Sequence, residues 1–191
     1  MKGVTRSSAH RETVLRASEA CCALYVDRGT ADLTVAEICQ ATGLSQRSFY
    51  RYFPAKADSV KPVLNWTTET FNSHVATAPD APIREILRDG FHQMLGGEVA
   101  GRTRALTPIL LADPELWSVF LRAVHSGELS LVPVLAIRLG LPSASLRARA
   151  AAGVVATATR LSLEEMAASG ADPEDSFVRF IDAFDSGLFI T

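Results

Sequence analysis

The chain has 191 residues, 48% of them hydrophobic and 21% charged, with a formal net charge of −2. That balance excludes an intrinsically disordered chain, and 12 Gly and 9 Pro, unevenly spaced, exclude collagen-like or low-complexity sequence. The length fits one compact domain or two small ones sharing a core.

The longest apolar stretches, such as 131–137, are broken within about ten residues, so no membrane span is expected. The opening MKGVTRSSAHRE lacks the apolar segment of a secretory signal. A cytoplasmic protein is the expectation. Cys21, Cys22 and Cys39 are odd in number and two are adjacent, which gives no disulfide framework; they read as structural thiols. The four histidines are scattered, and neither a metal nor a cofactor is expected.

Charge divides by region. Residues 1–61 hold nine Lys and Arg against six acids, a net of +3, and all three Tyr; the remainder carries −5. A basic first third on an acidic remainder points to the first third as the part that meets a polyanion.

No segment alternates apolar and polar residues with β-branched enrichment, so the chain is read as all-α. Residues 8–28 place Val14, Ala17, Cys21, Leu24 and Tyr25 on one stripe, and Arg28-Gly29 supplies a stop. Thr34 and Glu37 form a T-x-x-E capping box for a short helix punctuated by Gly43, and Ser45 caps the next helix, to about Tyr52. Longer helices follow near 56–77, 82–97, 102–111, 114–139, 143–169 and 174–189. Asp113-Pro114 and Asp172-Pro173 each read as an N-cap with Pro at the first helical position. Pro108 and Pro133 fall inside apolar helical pattern and are expected to kink or interrupt their helices. The run GGEVAGRT at 96–103 is spaced like a phosphate-binding loop with Arg for Lys, but a helix precedes it where such a loop needs a strand. It is read as an interhelical turn.

Residues 34–53, TVAEICQATGLSQRSFYRYF, form a helix-turn-helix pattern. Gly43 serves the turn, Cys39 is small enough for a close crossing, and Ile38, Leu44, Phe49 and Phe53 supply an apolar underside. Ser45, Gln46, Arg47 and Ser48 then occupy the first turn of the second helix, and Gln and Arg read adenine and guanine edges bidentately.

The run from about Arg11 to Val60 resembles the DNA-binding domain of TetR-family transcriptional regulators, most specifically in SFYRYFPAK at 48–56. It departs mildly, with Cys39 where Ala is usual and Ser48 where Thr is usual. The resemblance implies an N-terminal three-helix helix-turn-helix DNA-binding domain, residues 1–55, followed by a larger helical ligand-binding and dimerisation domain, residues 56–191, about nine helices in total. It implies that Thr34, Tyr50, Tyr52 and Lys56 contact phosphates while Gln46, Arg47 and Ser48 face bases, with Ser45 at the head of the reading helix. Thr5 and Arg6 are expected to act as an N-terminal arm. The implied partners are a double-stranded DNA operator, a second copy of the chain and a small-molecule effector, with no membrane.

In the larger part, Trp66, Phe91, Met94, Leu95, Trp117, Phe120 and His125 are the candidates for lining a ligand cavity. Val154, Ala158, Leu161, Phe177, Ile181, Phe184 and Leu188 lie on the faces of the last two helices expected to form a dimer interface. The function expected is a ligand-responsive repressor. The rivals are an activator, a regulator without a ligand, an all-helical enzyme with a vestigial helix-turn-helix, and a protein-interaction module. No activated nucleophile, paired carboxylates with a base, or metal cluster supports the enzyme.

Overall fold

Caps and breakers divide the chain much as the sequence places them. The computed structural model describes residues 2–184, with side chains from Ser8 onward apart from that of Glu98. Within these residues lie nine α-helices, two short 3-10 turns and no strand. The first three helices, α1 (Lys2–Arg28), α2 (Val35–Thr42) and α3 (Gln46–Tyr52), form the N-terminal head. Thr34 Oγ1 accepts the Glu37 N–H at 3.2 Å, and the Glu37 carboxylate accepts the Thr34 N–H and hydroxyl at 2.7 Å each, completing the capping box. Gly43 ends α2 at φ 71°, a left-handed conformation that glycine adopts without strain. Ser45 Oγ accepts the Ser48 N–H at 3.1 Å and so starts α3.

The head's apolar residues sit in the core. Ile38, Phe49 and Phe53 are fully buried together with Cys21, Cys22 and Tyr25, and the Phe49 and Phe53 rings meet edge to face at 5.1 Å. Burial pushes the Cys21 and Cys22 thiols up to about 12, which keeps them protonated and unreactive.

The expected single helix over 56–77 divides in two: a 3-10 turn over Ala57–Val60 precedes α4 (Lys61–Thr77). Pro62 has no N–H with which to close an α-helical bond to the Asp58 carbonyl, and Lys61 donates to that carbonyl instead. Next come α5 (Ile83–Leu95), a 3-10 turn over Gly97–Val99, α6 (Ala100–Ala112), α7 (Pro114–Arg138), α8 (Leu146–Ser169) and α9 (Pro173–Phe184). Asp113 and Asp172 each accept two backbone N–H bonds, at 2.9–3.0 Å and 2.9–3.2 Å, as the N-caps of α7 and α9. Pro108 and Pro133 lie inside α6 and α7 and interrupt neither. Both are exposed, where water can satisfy the carbonyls they leave without a donor.

In the body α4 packs on α5 and α7, α7 on α8, and α8 on α9. The second half of α1 reaches out of the head to pack on α4 and α6, so head and body share one core. Helix α7 meets the length and apolarity of a membrane-crossing helix, against the expectation from the broken apolar runs. It turns Leu116, Val119, Phe120, Ala123, Leu131 and Leu135 into this core. The last helix is held by charge as well as by packing. Asp182 and Asp172 pair with Arg84 and Arg104, Arg179 bonds Glu165 of α8 at 2.8 Å, and His92 Nδ1 shares a hydrogen bond of 2.9 Å with Glu174 Oε1.

Candidate nucleic-acid interface and cavity

The cap at Ser45 fixes which side of α3 faces outward. With Phe49 and Phe53 buried, Gln46, Arg47 and Tyr50 are exposed, Tyr50 at 55%. Ser48 is half-buried and its hydroxyl accepts from Ser45 Oγ at 3.0 Å, so it is partly engaged in the cap. Tyr52 is also half-buried; its hydroxyl accepts from Arg51 Nη2 at 3.0 Å and its ring lies 4.9 Å below that guanidinium.

Two of the residues assigned to phosphate contact hold the head together. Thr34's hydroxyl is committed to Glu37, whose carboxyl is held below the ordinary glutamate range chiefly by that hydroxyl and then by the Thr34 N–H. Lys56 lies just ahead of the 3-10 turn, and its Nζ donates to the Ala31 carbonyl at 3.0 Å. An ammonium has three donors, so two remain for a phosphate.

Beside α3 the structure adds basic side chains that the motif did not assign. His10 and Arg11 of α1, Arg51, and Lys61 of α4 line a groove with Tyr52 and Trp66, along with the acids Glu12 and Glu69. The clustering of basic residues before position 62 is the only trace of this groove in the sequence. Thr5 and Arg6 lie outside the residues whose side chains are described.

A second feature lies in the body. Helices α4 to α8 enclose a cavity lined by Val63, Leu64, Thr67, Thr68, Met94, Leu95, Arg102, Thr103, Leu106, Thr107, Leu110, Phe120, Ala123, Val124, Thr159 and Leu163. It holds about 600 Å³ of atom-free space including its opening to solvent. The five threonine hydroxyls donate to backbone carbonyls three or four residues earlier at 2.7–3.1 Å, so their hydrogens are committed to the backbone.

Met94, Leu95 and Phe120 therefore line the cavity. The other four candidates do not. Phe91 is fully buried and stacks on Phe177 with ring centroids 4.3 Å apart, because both side chains fill the seam between α5 and α9. Trp117 stacks on Phe120 at 5.0 Å, on the wall of a small recess adjoining the cavity. Trp66 lines the outer groove, and His125 is exposed, with Glu128 at 3.5 Å. Arg102 and the threonines were missed; the i,i+4 spacing of Thr103 and Thr107 is the one signal that places two of them on a common face.

The residues expected at a dimer interface differ in exposure within the single protomer. Ala158, Phe177 and Ile181 are buried within the protomer, where α8 and α9 pack on each other and on α5. Val154 and Leu161 remain half-buried and Phe184 is 38% exposed; Leu188 lies outside the described residues.

The geometry of the head agrees with sequence comparison. Residues 19–59, from the second half of α1 through Ser59, match the family described as bacterial regulatory proteins, tetR family. The chain carries a tetR-family DNA-binding domain. It is accordingly a DNA-binding transcriptional regulator, with α2 and α3 as the helix-turn-helix of that family and a further helical region behind them. The match ends at the 3-10 turn, and the cavity-forming helices lie wholly beyond it. Compared with curated proteins, the chain matches none.

Proposed function

We propose that the protein is a homodimeric repressor, released from a pseudo-palindromic DNA operator by an apolar or amphipathic small molecule that fills the cavity. A head of residues 1–55 would bind DNA, and a body of residues 56–191 would carry the effector and the second subunit. The observation that carries this reading is the position of the cavity. Two of its walls, α4 and α6, pack directly on α1 of the head. A ligand that alters the spacing of those walls acts on the helix that supports α2 and α3. Its leverage is limited to its differential affinity for the DNA-competent and released states.

In this reading Gln46, Arg47 and Ser48 meet base edges, while Thr34, Tyr50, Tyr52 and Lys56 position the head on the backbone. Two reading helices would enter successive major grooves about 34 Å apart. The half-buried Val154, Leu161 and Phe180 and the exposed Phe184 leave apolar surface on α8 and α9 for a second subunit.

The test is selection of duplex DNA from a random pool by the purified protein near 150 mM salt, about physiological. Recovery of a pseudo-palindrome supports the dimeric reading and supplies the operator for a release screen. Binding without a motif overturns it in favour of a nonspecific DNA binder.

A further inference from the structure

Among the described residues, Arg102 is the one charged side chain lining the cavity between α4 and α8. Among the described residues it makes no hydrogen bond. Its nearest acid is Glu19 of α1, with Nη1 to Oε1 at 3.8 Å, and its guanidinium sits 5.8 Å from the Trp66 ring centre, near the outer limit for such a contact. Both members of the ion pair are partly exposed, 28% and 45%, so solvent screens it and it is readily exchanged. An arginine with five donors and one distant partner thus stands at an apolar space.

The threonine hydroxyls on the same wall already donate to backbone carbonyls, so Arg102 is the side chain there with donors to offer. A ligand head that meets it must accept hydrogen bonds. The opposite end carries the opposite sign. A second, smaller cavity shares Thr68, Met94, Val124 and Thr159 with the first and continues past Phe71 and Leu131, and its one charged lining residue is Glu128. Acid at one end and base at the other orient an anionic amphiphile along the apolar path between them.

We propose that the cavity takes an amphipathic monoanion, an apolar chain ending in a carboxylate, whose head pairs with Arg102 and draws it away from Glu19 on α1. The inference rests on the reading of the cavity as the effector site. A carboxylate presents two oxygens to the guanidinium fork at hydrogen-bond distance, a closer match than the 3.8 Å contact it replaces. The exchange removes one link between α6 and the helix that supports the DNA-reading pair, which makes head-group chemistry the trigger.

The test titrates the full-length protein with decanoate, decanol and decylammonium, reading binding calorimetrically and operator release in parallel. Decanoate should bind at least about tenfold tighter than decanol, the margin expected of one charge-assisted pair in a partly buried site. Arg102→Gln should abolish that preference. Glu19→Gln, which removes the competitor, should tighten decanoate and leave decanol where it was. Should Arg102→Gln fail to fold, Glu19→Gln carries the test alone. Equal affinity for decanoate and decanol overturns the head-group assignment, and if both release DNA the effector reading stands without it. A preference for decylammonium, or binding of none of the three, also overturns it, and operator binding in the untreated protein still reports separately on the repressor reading.

Discussion

Tyr25 of α1 and Ser59 of the 3-10 turn share a buried hydrogen bond of 2.9 Å, and Ser18 Oγ donates to the Ser59 carbonyl at 2.5 Å while accepting the Val63 N–H at 3.3 Å. These bonds tie the head's first helix to the first elements of the body through a fully buried polar cluster. Burial holds the Tyr25 phenol far above its ordinary range, so the hydroxyl stays neutral throughout the working pH range. Tyr25→Phe removes one partner and leaves the Ser59 hydroxyl short of one. The expected cost is about 1–3 kcal/mol, seen as a lower urea midpoint with an unchanged slope. An unchanged midpoint would mean that the cluster contributes nothing to holding α1 in place.

Arg47 and Lys56 should respond differently to truncation. Arg47 is exposed on α3 and makes no hydrogen bond or ion pair among the described residues, so Arg47→Ala should relax base preference at one position of each half-site by ~1–3 kcal/mol. Stability should stay the same. Lys56→Ala should weaken binding across all sequences and lower the salt slope by about one. It should also lower thermal stability, because the bond to the Ala31 carbonyl goes with it. Operator selection repeated with each variant separates the two: if Arg47→Ala recovers the unaltered sequence, the reading residues lie elsewhere on α3.

The head was legible in the sequence because its devices are local. Thr34 with Glu37, the left-handed Gly43, and Ser45 with the Ser48 N–H act within one or two helical turns, and each is where spacing places it. The body was legible as helices and not as surfaces. An aromatic stripe on α9 reads the same whether it meets a second chain or its own; the Phe91–Phe177 stack places Phe177 in the protomer's interior, while Phe184 stays exposed. The cavity escaped for a related reason. Its polar wall is made of threonines that look like ordinary helix surface, and its one cation, Arg102, lies in a run that resembles a phosphate loop. Which helices converge on a space is a tertiary property, and no spacing within one helix reports it.

The Glu37 carboxyl gives the head a pH dependence of definite sign. Its folded pKa is depressed by the Thr34 hydroxyl and N–H, so its contribution is present above the unfolded value near 4.3 and is lost as pH falls through the lower folded value. Glu37→Gln keeps the length of the side chain and removes the charge. The stability gap between wild type and this variant should be constant from neutral pH to about pH 5 and then close on further acidification. Paired urea titrations across that range check it; a gap that widens in acid would reverse the assigned sign.

Gly127 of α7 lies against Thr68 of α4 more closely than any larger residue would allow. A Cβ at position 127 would fall 2.5 Å from Thr68 Cγ2, and Thr68 is held by the bond from its hydroxyl to the Leu64 carbonyl. Replacing Gly by Ala inside a helix gains about 0.5–1 kcal/mol from backbone entropy. Overpacking in a seam of this kind costs typically ~1–3 kcal/mol, because either Thr68 must rotate and lose its bond or α7 must move off α4. The second effect should win, so Gly127→Ala is expected to be destabilising on its own. Thr68→Ala removes the obstructing methyl, and in that background the same Gly127→Ala change should become neutral or stabilising. The coupling from the double-mutant cycle is the deciding quantity. If Gly127→Ala costs the same with and without the Thr68 side chain, the close approach of α4 and α7 is set by something other than this pair.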